Sequence, residues 1–87
     1  MVYRVELSNA ALKSLKNIPK KELERIGKKI DFLEKEPRPA NVEKLSGYDN
    51  LYRVRSGDYR VVYRIFDARL FILVIDIGHR REIYRDL

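Results

Sequence analysis

The stretch from Leu51 to Ile77 constrains the fold more than any other part of this chain. It reads Leu-Tyr-Arg-Val-Arg, then Ser-Gly-Asp, then Tyr-Arg-Val-Val-Tyr-Arg-Ile-Phe, then Asp-Ala-Arg, then Leu-Phe-Ile-Leu-Val-Ile-Asp-Ile. Each run is rich in β-branched and aromatic residues, and the punctuation between runs is too short for anything but a hairpin turn. Three successive strands are therefore expected, at 51–55, 59–66 and 70–77. The last is apolar almost throughout, which predicts a central strand buried on both faces. Gly78 breaks it.

Side chains alternate across a strand, so the faces can be followed through the hairpins. Taking Gly57-Asp58 as a two-residue turn sets Ser56 opposite Tyr59, Arg55 opposite Arg60, Arg53 opposite Val62 and Leu51 opposite Arg64. Centring the next turn on Ala68 sets Val62 opposite Val74 and Arg60 opposite Asp76. One face then carries Arg53, Arg55, Arg60, Arg64, Val62, Val74 and Asp76. The other carries Tyr52, Val54, Tyr59, Val61, Tyr63, Ile65, Phe71, Leu73, Ile75 and Ile77, which is a core. Like charges set opposite one another destabilise a sheet. Three neighbouring cations, Arg53, Arg55 and Arg60, with Asp76 as their one nearby acid, point to a face that binds an anion. The plainer alternative is that Arg60 pairs with Asp76 and the other arginines point into water.

The residues before this meander supply the cover for its core. Val2 to Leu7 alternates in polarity and reads as a strand. Ser8 or Asn9 can cap a helix whose apolar positions are Ala11, Leu12, Leu15 and Ile18. Pro19 ends that helix and suits the first turn of the next. Leu23, Ile26, Ile30 and Leu33 recur at helical spacing, with Gly27 on the same stripe allowing close approach of the two helices, and Pro37 closes the segment. Residues 37–50 form a loop. The order is β-α-α-β-β-β in a single domain spanning 1–87. It predicts an α+β fold: a helical hairpin packed on one face of a small, mainly antiparallel twisted sheet, with the arginine face left uncovered.

Composition narrows what such a domain can do. At 87 residues and 10.4 kDa there is room for one core. Cysteine is absent and His79 is the only histidine, so thiolate chemistry and a histidine zinc site are excluded, and neither a metal nor a cofactor is expected. The longest apolar run, Leu70 to Ile75, falls far short of the roughly 20 residues of a membrane span. The opening Met-Val-Tyr-Arg-Val-Glu-Leu resembles neither a signal nor a transit peptide, so the expectation is a cytoplasmic protein with no membrane association. Nineteen Lys and Arg against thirteen Asp and Glu leave a formal charge of +6, which favours a polyanion or an acidic protein partner. The cations are also segregated: every lysine lies between Lys13 and Lys44, while the carboxyl-terminal half uses arginine alone. Arginine's flat fork holds phosphate in two-point geometry, whereas lysine is a mobile point charge.

Beyond Gly78 come His79, Arg80 and Arg81, where chain leaving a strand end can lean over the open face. His79 has the only side chain here whose ordinary pKa, roughly 6.5, suits proton transfer near neutrality. Tyr84 can stack on a base or pack the tail onto the sheet; stacking combined with cations is how single-stranded nucleic acid is commonly held.

The runs Lys44-Leu45, Leu51-Tyr52-Arg53-Val54-Arg55-Ser56-Gly57-Asp58-Tyr59-Arg60-Val61-Val62-Tyr63 and Gly78-His79-Arg80-Arg81-Glu82-Ile83-Tyr84 closely resemble the RelE toxins of the RelE/ParE superfamily of type II toxin–antitoxin systems. The resemblance covers nearly the whole chain. It implies a toxin that enters the ribosomal A site and cleaves mRNA there without a metal, by attack of a ribose 2′-OH on the adjacent phosphate. The implied partners are the ribosome, its mRNA and a cognate small, helical, acidic RelB-like antitoxin. Carried over residue by residue, the implied catalytic set is Arg60, Arg80, His79 and Tyr84, and the implied RNA-binding set is Arg53, Arg55 and Arg81. Well-known members carry lysines where this chain has Arg53 and Arg55. Arginine stays protonated, with a pKa above about 12, so the proton acceptor passes to His79, to Tyr84 or to solvent. The same superfamily also holds ParE-like proteins that poison DNA gyrase, and toxins decayed to antitoxin binding alone; both remain alternatives here.

Overall fold

The structure, a computed structural model, describes residues 2–79. Its elements are β1 (Arg4–Leu7), α1 (Asn9–Leu15), α2 (Lys20–Leu33), β2 (Glu43–Lys44), β3 (Leu51–Ser56), β4 (Tyr59–Phe66) and β5 (Phe71–His79). The strands form one sheet in the order β1-β5-β4-β3-β2. β1 runs parallel to β5, and the other neighbours are antiparallel. The expected α+β architecture is present with one addition: Glu43 and Lys44, expected within a loop, pair with Arg53 and Tyr52 as a short edge strand.

Local chemistry accounts for the helices. The Ser8 backbone is extended, and its Oγ accepts from the Ala11 N–H at 3.1 Å, satisfying one of the amides a helix start leaves without a partner. The same hydroxyl donates to the Ile75 carbonyl at 2.6 Å, so the cap also ties α1 to β5. Pro19 precedes α2, where its missing N–H costs nothing, and its carbonyl accepts from Leu23 at 3.0 Å. Ile26, Ile30 and Leu33 then face the sheet. The close helix contact expected at Gly27 does not occur: a Cβ there would meet nothing within 4 Å.

The core lies between the helices and one sheet face. Ala11, Ile26 and Leu33 pack with Val54, Val61, Tyr63, Ile65, Ile72, Val74 and Ile77. Tyr63 is fully buried; its hydroxyl donates to the Pro37 carbonyl at 2.7 Å and its ring stacks on Tyr52 at 6.0 Å. Burial pushes the Tyr63 phenol above its ordinary pKa, so it remains a neutral donor. A second set of contacts closes the rim. Arg38 binds both oxygens of Asp67, at 2.8 and 3.3 Å, while the Tyr3 hydroxyl donates to Asp67 at 2.7 Å. Arg38 Nε also donates to the Tyr52 hydroxyl at 2.9 Å. The segment after α2, the β4–β5 turn and the residue before β1 are thereby joined around one carboxylate.

The β3–β4 register is the one the Gly57-Asp58 turn dictates: Ser56 with Tyr59, Arg55 with Arg60, Arg53 with Val62 and Leu51 with Arg64. The β4–β5 register differs from expectation. Phe66 pairs with Phe71, making the connection four residues long, and Leu70 closes it in the left-handed region at φ 51°. This extra residue reverses the parity of the first half of β5. Ile72 and Val74 therefore enter the core, in place of Phe71 and Leu73. Val62 then pairs with Asp76 and Tyr63 with Val74, so Ile75 is an inserted residue that forms a bulge and returns Ile77 to the core. The expected pairings of Val62 with Val74 and Arg60 with Asp76 are thus replaced, and Arg60 faces Gly78. β4, not β5, is the middle strand, and burial alternates along the first residues of β5 instead of being continuous.

Candidate nucleic-acid interface

Because β3 and β4 keep the predicted register, their cations share a face. Arg53 and Arg55 of β3 and Arg60 and Arg64 of β4 all project away from the two helices, since their neighbours Tyr52, Val54, Val61 and Tyr63 project into the core. Exposure grades across the group: Arg55 is exposed, Arg53 and Arg64 are partly buried, and Arg60 is only 7% exposed. Arg60 sits between cross-strand partners Arg55 and Gly78, and the missing side chain at Gly78 keeps the approach on the β5 side low.

The face is not bare along its whole length. Leu51 and Val62 are buried there against Leu45 and Ile75, a small apolar patch beside the arginines. Leu45 is held over it by a backbone bond from its N–H to the Leu51 carbonyl at 2.9 Å. The apolar patch floors the centre of the face and leaves the Arg53–Arg55–Arg60 end as its charged part.

The acid that meets these cations is Glu43 rather than Asp76. Arg53 Nη2 lies 2.8 Å from Glu43 Oε2. The Glu43 carboxyl is held below its ordinary pKa by that bond, by the Arg53 charge, and then by the charges of Arg60 and Arg55. Glu43 is thus ion-paired with Arg53 and feels the charges of Arg60 and Arg55 on the same face. Asp76, carried by the bulge, instead accepts from the Ile77 N–H at 2.9 Å and from the Ser14 hydroxyl of α1 at 3.4 Å. Glu43 escaped the sequence reading because its two-residue strand has no periodicity to detect; the one available signal was its acidic charge eight residues before the Leu51–Arg55 strand.

His79 is placed away from this cluster. It pairs with Tyr59, a core-side position, and the two rings meet edge-on at 5.8 Å. It lines a cleft of about 360 Å³ with Ser14, Asn17, Ile18, Tyr59 and Ile77, on the helix side of the sheet. The structure thus gathers Arg53, Arg55 and Arg60 and does not bring His79 to them. The expected site residues Arg80, Arg81 and Tyr84 lie outside the described residues. Among the described residues no cluster of His, Asp and Glu could hold a metal ion, and no helix is long and apolar enough to cross a membrane.

A charged floor of forks beside an apolar shelf can hold a sugar–phosphate strand: guanidinium groups grip non-bridging oxygens in pairs, and the shelf accepts the less polar parts of the nucleotide. Comparison with known proteins points the same way. The sequence profile of the family described as "ParE toxin of type II toxin-antitoxin system, parDE" matches residues 5–84. The mRNA interferase toxin RelE of Escherichia coli K12 is 30% identical over 90 residues, covering 99% of this chain and 94% of that protein. The archaeal RelE–RelB complex of Pyrococcus horikoshii contains a chain of 36% identity that superposes with a TM-score of 0.82, covering 92% of this chain and 97% of that one. A chain of the intact E. coli RelBE toxin–antitoxin complex, 31% identical, superposes with a TM-score of 0.77 over 88% of this chain and 95% of that one.

Proposed function

This chain belongs to the RelE/ParE superfamily of type II toxins, on its RelE-like side, and from that premise we propose that it is a ribosome-dependent endoribonuclease that cleaves A-site mRNA without a metal ion. The observation that carries the reading is the gathering of Arg53, Arg55 and Arg60 on the sheet face opposite the two helices. In the reaction, the ribose 2′-oxygen attacks the adjacent phosphorus, the P–O5′ bond breaks, and a cyclic phosphate and a free 5′-OH result. The crowded phosphorane carries more negative charge than the ground state, so fixed cations placed at its oxygens lower the barrier. Arg60, the most enclosed of the three, holds the scissile phosphate; Arg53 and Arg55 grip the strand beside it. Arg80 supplies a further cation to the phosphorane, Arg81 a backbone contact and Tyr84 a stacking surface. His79, on the far side of the sheet, has no part in the proton transfers.

The partners of this reading are the ribosome, its mRNA and a small helical RelB-like antitoxin whose acidic side chains neutralise the arginine face in the cytoplasm. The relatives' complexes with RelB support the antitoxin, and the net charge of +6 supports both polyanionic partners. The test maps mRNA 5′ ends after brief expression of the parent, Arg60→Ala and Arg80→Ala. Codon-phased new 5′ ends from the parent, lost in both variants, are expected. Equal cleavage by the variants would remove the assigned site.

One observation favours a second reading. The family profile that matches is that of ParE toxins, so gyrase is the alternative target. A block of plasmid supercoiling by the purified protein, with mRNA left intact on ribosomes, would favour it.

A further inference from the structure

The cleavage chemistry needs a group that takes the 2′-hydroxyl proton, and the arginine face contains few groups able to do so. Arg53, Arg55 and Arg60 keep their protons at any physiological pH. His79 lies on the opposite side of the sheet, in the cleft with Ser14 and Asn17. Lys44 pairs with Tyr52, a core-side position, and so projects away from the arginines. Glu43 remains. It pairs with Arg53, shares the arginines' face, and places Oε2 2.8 Å from Arg53 Nη2. Its side chain is 59% exposed, so a strand laid on the face can reach it, and it stands on a two-residue strand that is the sheet's edge among the described residues.

We propose that the Glu43 carboxylate is the proton acceptor for the 2′-hydroxyl of the cleaved nucleotide, a role that rests on the endoribonuclease reading above. The carboxylate end of this ion pair is open to solvent, where screening leaves it little to contribute to folding, so its place among three cations is better accounted for by chemistry than by stability. The groups that face Glu43 are Arg53 and Arg55 from β3 and Arg60 from β4. With the face empty, these hold the carboxylate ionised and weakly basic. A phosphate entering the cluster shares the same guanidinium groups, weakens their pull on Glu43, and lets its basicity rise where the 2′-hydroxyl arrives. The step balances: the 2′-O–H proton passes to Glu43, the O2′–P bond forms as P–O5′ breaks, and the departing 5′-oxygen takes a proton from water. Glu43 returns its own proton to solvent before the next turnover.

The test is single-turnover cleavage of ribosome-bound mRNA by the parent, Glu43→Gln and Glu43→Asp across a pH series, with ribosome affinity and thermal melting measured on each. The glutamine variant should lose about 10²- to 10⁴-fold in rate, the usual worth of a positioned base. Its affinity should stay equal or tighten, because one negative charge has left a phosphate site. The parent's rate should fall toward acid pH as Glu43 protonates, that limb should vanish in the glutamine variant, and the aspartate variant should keep part of the rate with the limb intact. A glutamine variant that cleaves like the parent with the same acid limb overturns the proposal and leaves the endoribonuclease reading standing. So does a loss of rate that tracks a fall in melting temperature and is not rescued by aspartate. A parent that cuts no mRNA removes both together.

Discussion

Arg55 and Arg60 stand directly opposite each other across β3 and β4, one residue pair in from the Gly57-Asp58 turn. Two like charges in that relation oppose sheet formation by some tenths of a kcal/mol to about 1 kcal/mol. Their cost to the fold and their use to the site can be separated by experiment.

Replacing the exposed Arg55 with Gln should therefore raise the melting temperature slightly at low salt, with the gain fading as salt screens the pair. The same change should weaken binding to single-stranded RNA and make the slope of log K against log salt shallower by about 0.7, the value for one phosphate contact. Melting curves and RNA titrations over a salt series check both halves. An unchanged slope would place Arg55 outside the bound strand.

Gly27 sits inside α2 with open space where a Cβ would go. Gly27→Ala should stabilise the domain by about 0.5–1 kcal/mol, because alanine has less backbone freedom to lose on entering a helix. For a domain of this size that is a rise of roughly 2–8 °C in Tm. A fall in Tm would mean that the helix packs more tightly there than its surroundings indicate.

Asp67 is held below its ordinary pKa of 3.8, first by the Arg38 guanidinium and then by the Tyr3 hydroxyl. A depressed folded-state value means that its contribution is present above the ordinary value and is lost as pH falls through the folded one. Asp67→Asn should thus melt lower than the parent near neutrality. The two curves should converge as the pH drops below about 3.8, the ordinary Asp value, in a thermal-melting series. A gap that persists into acid would point to packing at Asp67 rather than its charge.

The Tyr63 hydroxyl donates to the Pro37 carbonyl from a fully buried ring. Tyr63→Phe keeps the ring and removes the donor, so it should cost about 0.5–1.5 kcal/mol, or several degrees of Tm. Hydrogen exchange should show the loss first in the segment after α2. A neutral outcome would indicate that water takes over the Pro37 carbonyl.

The parts of this fold legible in the sequence were those governed by short-range chemistry. Ser8, Pro19 and Gly57-Asp58 each announce a cap or turn through a side chain or ring that allows little else, and the β3–β4 register followed from the last of these. The β4–β5 connection was hidden for a physical reason. Its left-handed position is filled by Leu70, a residue that does not advertise such a backbone, and the Ile75 bulge offsets the shift further along. Counting alternation forward from Ala68 therefore misassigned Phe71, Leu73 and Ile75, while Ile77 came out correctly. At the site, Arg53, Arg55 and Arg60 were readable because the legible turn orders them. His79 was misdirected because the expected break at Gly78 does not occur: β5 continues through His79, which keeps the core-side parity of Ile77. Glu43 was invisible because a two-residue strand takes its place only from its neighbour.

The parallel pairing of β1 with β5 sets the order in which this protein can complete itself. Arg4 waits for Phe71, so the first strand made has no ladder until nearly the last has emerged from the translating ribosome. A nascent chain can form its α2 and its β3–β4 hairpin early, yet the sheet closes only once β5 is there to pair with both β4 and β1. Assembly is in this way deferred until β5 has been made, by strand order alone.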